Sequence, residues 1–554
     1  MIQLLNLSSV KIIVLTLFCY IPVSHGNLIQ IEEKTQSDST AFFEIYKHLR
    51  YFHPDSESMH PNWDIFLNNK ICEADFSNVE VAHLQQTFSF LPEVNFSVLP
   101  MKDIEAPEEY SSLYFNHYVG YKESTHHLYS LKREKAKTFK TQHIQIHDSL
   151  YLSFPAYSPN KKALISPPEE TQTNDEHCSD IFNFIKIFHT LELFFHNSPN
   201  EINNTLFEHY LARVLKAPYD KRMKIIRELI SSLNECHFKL YKSDSDYSER
   251  MLVPIQWEFN KKKDGLIVLR SVDQTLEGVT VTKINDVGIP QLYQSKAALI
   301  SSANERHKMS QIKDYLQLVN DSIIHITYLD KDSVEKKKKI TSFFSILEYY
   351  EWEILPENQR PNFKAINNKT DYINLTKASH KAISHHYSQH GFDHSGKYLF
   401  LDLRGRPTEK SFHKLLSLFY PVAQEHLFLT IPNTNIDTTY FSEHPWGIYP
   451  GKNTLKYKKI YVLIDENTVS YGESVAYMLA RLDNTTLIGY YSAGCNGDVT
   501  TVNLDGYVLR FTGAKVQYPH VPTCSEGKML KPDYFFTREE LTNLNQVILD
   551  LITM

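Results

Sequence analysis

Ser470 is the residue whose setting most suggests chemistry. It follows an apolar run, Ile460-Tyr461-Val462-Leu463-Ile464-Asp465, and a short polar stretch, and it precedes Tyr471–Leu482, whose apolar residues recur at helical spacing. A serine where a buried strand turns into a helix can act as a nucleophile, because the helix start offers unpaired N–H groups and a positive dipole end to a developing oxyanion. A plainer reading also fits: Ser470 and Glu473 spell the Ser-x-x-Glu of a capping box. On spacing alone the capping box is the stronger reading. A second buried strand ends in Asp402-Leu403-Arg404-Gly405. Glycine at the carboxyl end of a parallel strand can turn its N–H toward the neighbouring strand's end, where ligands bind in open α/β sheets. The N–H groups of Gly405 and Tyr471 are therefore a candidate oxyanion pair, with an ordinary turn the alternative for Gly405. A serine also needs a base. His237, in Leu233-Asn234-Glu235-Cys236-His237, and Glu526 and Asp533 near the end of the chain are the groups available to assist it. Alone, His237 reads as a surface or satisfied histidine.

Two other clusters could bear chemistry. His380, His385, His386, His390 and His394 crowd one stretch, and His386 and His390 are four apart. Metal binding would want a carboxylate or a third histidine in register, and an exposed polar linker is the expectation. Beyond residue 26 the cysteines are Cys72, Cys178, Cys236, Cys495 and Cys524. There is no Cys-x-x-Cys, which argues against a structural zinc site. One or two disulfides are possible in an oxidising compartment, and an odd count leaves at least one thiol free or intermolecular.

The elements that must position these residues can be read in outline. From about 395 the text alternates buried strands (Tyr398–Leu403, Ile460–Asp465, Leu487–Tyr490) with helical stretches (Glu409–Phe419, Tyr471–Leu482), the pattern of an α/β layer with parallel strands. Between 250 and 345 lie short strands around a helical stretch, and Lys336–Lys339 reads as a solvated hairpin end. Residues 178–233 carry apolar stripes at helical spacing, read as plain core. Ala41–Arg50 is helical and stops before Pro54, and patchy alternation from 110 to 160 suggests strands.

Composition narrows the classes. The chain has 554 residues with 13% aromatics and a net charge of −7, which excludes wholesale disorder and leaves no basic excess for nucleic acid. Lys11 precedes an apolar run, Ile12–Val23, and Ser24-His25-Gly26 places small residues at a cleavage position. This is the layout of a signal peptide, 1–26, since a spanning helix needs about 20 apolar residues. The expected product is extracytoplasmic, with no membrane span once the leader is removed.

Taken together, these pieces resemble the tail-specific, or C-terminal processing, serine protease family, and most closely its tricorn-core-like branch. The matching elements are Asp402–Gly405, Ser470 with Glu473, the turn Ser492-Ala493-Gly494-Cys495-Asn496-Gly497, the run Glu526–Asp533, and Leu233–His237 for a Leu-x-Asp-x-His motif. The opening Leu49–Pro54 with Trp63-Asp64 is similar to the N-terminal domain of some bacterial members. The resemblance implies an α/β catalytic core of crotonase/ClpP-like βαβ layers (346–554). It also implies an N-terminal α+β domain (27–175), a helical lobe carrying the histidine (176–250) and an inserted PDZ-like β-rich domain (251–345). No Gly-Leu-Gly-Phe-type loop occurs in that insert, so covering the cleft is a better expectation for it than reading C-termini.

The processing branch uses a lysine downstream of the serine as base. Here Cys495 takes that place, and no Lys or Arg lies between Asp483 and Arg510. The implied apparatus is the other branch's triad: Ser470 as nucleophile, His237 as general base and then acid, and Glu526 orienting the imidazole, with Gly405 and Tyr471 as oxyanion hole. Glu235 stands where the family has Asp, Cys236 where the branch has Ser, and Met529 where it has Gly. Cys495 and Cys524 would flank the site, which suggests that they pair; the alternative for Cys495 is a nucleophile in its own right. The implied function is a secreted or periplasmic serine endopeptidase acting on peptides or proteins, with neither metal nor organic cofactor. The alternative is a catalytically silent relative that binds peptides or other ligands. An esterase of the nucleophile-elbow type is disfavoured, because no Gly-x-Ser-x-Gly surrounds Ser470.

Overall fold

The computed structural model describes residues 38–553 outside 100–112, 123–126, 156–164, 196–201, 244–250, 350–361, 519–526 and a few shorter breaks. The expected leader 1–26, Glu526 and Cys524 lie outside the described residues.

The apolar runs become the centre of a six-stranded sheet. Its order is Phe363–Asn367, Thr370–Asn374, Asp393–Asp402, Lys456–Ile464, Thr485–Gly489 and Tyr534–Phe535. Every neighbouring pair after the first is parallel. Strands covered on both faces must be apolar throughout. Leu399, Leu401, Val462 and Ile464 pack on one side, and Phe400, Tyr461, Leu463 and Ile488 on the other. The α/β reading of the last block therefore holds, with Tyr471–Leu479 as the helix after the third parallel strand. The histidine-rich stretch is a helix, His380–His390, and not the expected linker. Ser379 caps it by accepting from Ala382 N, Gly391 ends it at φ 85°, and Ile383 and Tyr387 are its buried contacts.

A second sheet brings distant segments together. Its order is Gly497–Asn503, Tyr507–Gln517, Gln424–Thr434, Leu113–Lys122 and His127–Ala136. Thr439–Ile448 pairs with Gln424–Thr434, and Lys239–Lys242 pairs with Tyr507–Gln517. Strands from both the 27–175 and the 346–554 segments thus share one sheet.

Residues 251–345 carry a separate antiparallel sheet, ordered Glu335–Ile340, Ile324–Leu329, Thr280–Ile284, Leu266–Ser271 and Ile255–Phe259. Its core holds Trp257, Val268, Val281 and Ile326, closed by Ile312 of the helix Glu305–Gln317. Lys336–Lys339 is part of the edge strand and not a hairpin tip. Lysines on an exposed edge discourage pairing with other chains. The stripes of 178–233 form the helices Glu176–Phe194, Asn204–Lys216 and Tyr219–Ser232, and their apolar residues are core, as expected. A disulfide, Cys72–Cys178, fastens Asn62–Cys72 to the first of them.

Candidate active site

Ser470 sits in a turn built by its neighbours. Thr468 Oγ1 donates to Leu403 O at 2.7 Å and accepts from Asp465 N, so the elbow is held to the end of the adjacent strand. Ser470 N donates to Cys495 O at 2.8 Å, and Ala493 N donates to Thr468 O. The capping box is present, with Ser470 and Glu473 each accepting from the other's backbone. Yet Ser470 is no ordinary cap. Its φ of 53° and ψ of −116° lie far from the extended backbone usual at that position. A non-glycine residue held there stores strain, which clusters at active sites.

Glu473, 1% exposed, clamps this elbow. Its carboxyl accepts from Ser492 Oγ and Gly494 N through Oε1, and from Cys495 N and Ser470 N through Oε2. Burial pushes the carboxyl up to about 7, against the pull of these donors. Gly494 has φ +69°, and a Cβ there would fall 2.9 Å from Met529 Cγ and Asn304 Nδ2, so only glycine fits.

The Asp402–Gly405 turn lies beside the elbow, as anticipated. Asp402 is fully buried and receives Arg404 Nη2 at 2.7 Å and Tyr372 Oη at 2.7 Å, an arrangement that fixes the turn. Gly405 has φ +142°, and its carbonyl lies 3.4 Å from where a Gly472 Cβ would stand. Its N–H donates to Leu403 O at 2.8 Å. An oxyanion would compete with that contact.

His237 arrives through strand register. Lys239 pairs with Arg510 at the start of Lys239–Lys242, so the residue two before it lies alongside Thr512. His237 Nδ1 is 2.8 Å from Thr512 Oγ1 and 3.1 Å from Glu235 Oε1. Glu235, 1% exposed, also accepts from Thr512 Oγ1 and from His237 N. Burial disfavours its charge, but the bonds from His237 and Thr512 overcome this and bring the carboxyl down to about 2. Ser301 Oγ accepts from Glu235 N at 2.9 Å, so the 251–345 segment props this turn from outside.

A disulfide joins the two halves of the site. Cys236, beside His237, is bonded to Cys495, whose carbonyl holds Ser470 N. The expected Cys495–Cys524 pairing is thereby corrected, because the fold sets Cys236 and Cys495 at a Cα separation of 5.6 Å. The bridge also removes Cys495 as a free nucleophile. Among the described residues no hydrogen bond joins His237 to Ser470 Oγ. Gly527, the neighbour of Glu526, donates to Gly494 O at 2.8 Å. Asp533 is structural: it exchanges two bonds with Leu487 and secures the strand Thr485–Gly489.

Sequence reasoning missed Glu235 and Thr512 as partners of the imidazole and Cys236 as a bridge partner. The signals available were the Glu-x-His spacing, which lets Glu235 fold back on His237, and Gly497, whose missing side chain leaves room for Thr512.

Residues 370–535 match the model of peptidase family S41. Among solved structures, mature CPAF is similar at 11% identity over 68% of this chain and 98% of its own, with a TM-score of 0.51. The photosystem II D1 C-terminal processing protease is similar at 14% identity over 67% and 96%, with a TM-score of 0.40. The tricorn protease is similar at 14% identity over 73% and 40%, with a TM-score of 0.33. No curated protein sequence matches the chain.

Proposed function

We propose that this chain, whose residues 370–535 match the model of peptidase family S41, is a serine endopeptidase of that family whose nucleophile is Ser470. The observation that carries the assignment is the backbone of Ser470, positive in φ at a helix start and tethered through Cys495 to the turn that bears His237.

In this reading His237 takes the Ser470 Oγ proton as the oxygen attacks a peptide carbonyl, then passes it to the leaving amine. The acyl-enzyme is released by water with the same base. The N–H groups of Gly405 and Tyr471 receive the oxyanion, which requires Gly405 N to leave Leu403 O. The imidazole needs a carboxylate on Nδ1. Glu526 is the member that the resemblance implies, and its neighbour Gly527 rests on Gly494. Glu235 is the carboxylate found on that nitrogen, and we favour it for the orienting role.

The finer fold assignments belong to the same proposal. The parallel sheet of 346–554 supports crotonase/ClpP-like layering, and the 251–345 sheet with its two helices supports a PDZ-like insert. The 27–175 and 176–250 segments are proposed as the N-terminal domain and the helical lobe. Substrates are peptides or proteins. A secreted or periplasmic location is proposed from the leader-like start, and the two disulfides fit an oxidising compartment. No helix among the described residues is long and apolar enough to cross a membrane.

The test is labelling of the chain by a fluorophosphonate serine probe, wild type beside Ser470→Ala. Label on wild type alone is expected. Equal label on both would identify another serine. No label on a folded wild type would favour a silent, ligand-binding relative.

A further inference from the structure

Next to the proposed catalytic pair lies a second cluster that the hydrolysis does not use. Cys236, Cys495 and His307 each offer one ligand atom, and these three atoms lie within 4.8 Å of one another. They come from three separate segments: the turn ahead of Lys239–Lys242, the turn ahead of Gly497–Asn503, and the helix Glu305–Gln317 of the 251–345 segment. The two cysteines are 2% and 1% exposed and are walled by Ala303, Val469 and Ala493.

We infer that Cys236, Cys495 and His307 form a binding site for a thiophilic divalent cation of the zinc and cadmium class when the two cysteines are reduced, the disulfide being the oxidised form of the same centre. Two thiolates and an imidazole are a donor set that such ions prefer, and three protein ligands leave a fourth position for water. With metal–sulfur bonds of about 2.3 Å, a tetrahedral ion holds its sulfurs about 3.8 Å apart. The Cα atoms of Cys236 and Cys495 are 5.6 Å apart. Rotation of the two side chains can therefore open that gap without moving the chain.

The surroundings suit an ion. Two thiolate charges cancel a dication, so the complex is neutral where the walls are alanine and valine, and its burial avoids the cost of an unpaired charge. Ser302 Oγ lies 3.0 Å from His307 Nδ1 and can hold the ring from that side, leaving Nε2 as the ligating nitrogen once Gln311 Nε2, now 3.3 Å from it, moves aside. Gln311 also donates to Cys236 O at 3.4 Å. A partner such as Ser302 orients a ligating ring.

The chemistry balances with a thiol or phosphine reductant. Two electrons from a dithiol break the sulfur–sulfur bond, giving two thiols and leaving the dithiol as a disulfide. A phosphine does the same and leaves as its oxide, with water supplying the oxygen and the two protons. The cation then displaces two thiol protons. Oxidised, the centre joins two segments; metal-loaded, it joins three, adding the 251–345 segment to the turns that carry His237 and hold Ser470.

The test uses the full chain carrying Cys72→Ser and Cys178→Ser, so that the other bridge is silent. The protein is reduced anaerobically with a phosphine, freed of it, and titrated with Cd²⁺ and Co²⁺. The readouts are thiolate-to-metal charge-transfer absorbance and bound metal per chain. One ion per chain is expected in the reduced protein and none in the oxidised protein. The absorbance should vanish in Cys236→Ser and in Cys495→Ser, and His307→Ala should weaken the affinity at least tenfold. A folded, reduced chain without the absorbance overturns the inference, as does absorbance that survives Cys495→Ser. If the background variant does not fold, the wild-type cysteines at 72 and 178 are kept and the loss on Cys236→Ser is read as a difference. The readout is metal and not proteolysis, so it stands whether or not Ser470 is a nucleophile.

Discussion

Ser470 and Cys495 share a backbone hydrogen bond of 2.8 Å, with the N–H on the serine and the carbonyl on the cysteine. Cys495 is in turn bonded through sulfur to the residue that precedes His237. One hydrogen bond, one disulfide and one peptide bond therefore separate the proposed nucleophile from the proposed base. The first belongs to the parallel sheet's elbow, while His237 is placed by the antiparallel sheet. The site is a seam between two layers, and the residues that lock the seam should matter as much as those that react.

Glu235 is the first of these. Its carboxylate lies on His237 Nδ1, so Glu235→Gln should let the ring adopt the wrong tautomer and lower kcat/KM on the order of a hundredfold or more, with KM little changed. Glu526→Gln, measured beside it, should cost less. The reverse order would return the orienting role to Glu526. Steady-state kinetics on one peptide substrate decides between them.

Ser470 carries backbone strain that its side chain does not relieve. Ser470→Ala loses the hydroxyl and keeps the strained φ of 53°, whereas Ser470→Gly loses the hydroxyl and adopts that φ freely. The glycine variant should be the more stable of the two by about 1–2 kcal/mol, and both should be inactive. Denaturant unfolding measures the difference. Equal stability would mean that the elbow relaxes on substitution.

Much of this arrangement was legible in the sequence, and the rest was not for definite reasons. Val462, Leu463 and Ile464 announce a strand because a doubly covered strand must be apolar throughout. Phe184, Ile185, Phe188 and Leu191 announce a helix because their spacing makes one buried stripe. The helix His380–His390 was hidden because most of its residues are polar and only Ile383 and Tyr387 are buried. The Cys236–Cys495 pair is a purely tertiary fact, spanning 259 residues. Glu235 and Thr512 meet only because Lys239 pairs with Arg510, and no local pattern encodes that register.

Asp64 gives the helical region a pH signature of its own. It contacts Arg50 Nη1 at 2.5 Å and Lys186 Nζ at 2.6 Å. Burial disfavours its charge, but the two cations outweigh this and draw the carboxyl down to about 2 from an ordinary 3.8. A depressed carboxyl contributes stability that is present above 3.8 and is lost as the pH falls through about 2. That contribution is on the order of 2 kcal/mol at neutral pH. Asp64→Asn should lower Tm at pH 6, and the gap to wild type should narrow as the pH falls from 4 to 2. A gap independent of pH would show that packing, not charge, sets the cost.

Gly497 offers the sharpest test of the seam. A Cβ there would lie 2.5 Å from Thr512 Cγ2, closer than side chains tolerate. Gly497→Ala should push Thr512 off His237 Nδ1 and Glu235 and lower kcat/KM by roughly tenfold, in the range seen when such supporting bonds are lost. Thr512→Ser removes the methyl, the nearest obstruction, and keeps the hydroxyl, which at 3.0 Å from the added Cβ has to give by only a few tenths of an ångström. The double variant should therefore recover most of the activity that Gly497→Ala loses, while Thr512→Ser alone stays near wild type. Loss through general overpacking would not be rescued in this way, nor would it move kcat while sparing KM. Kinetics on the four proteins of the cycle, with thermal unfolding to confirm that each is folded, separates a displaced hydroxyl from a damaged core.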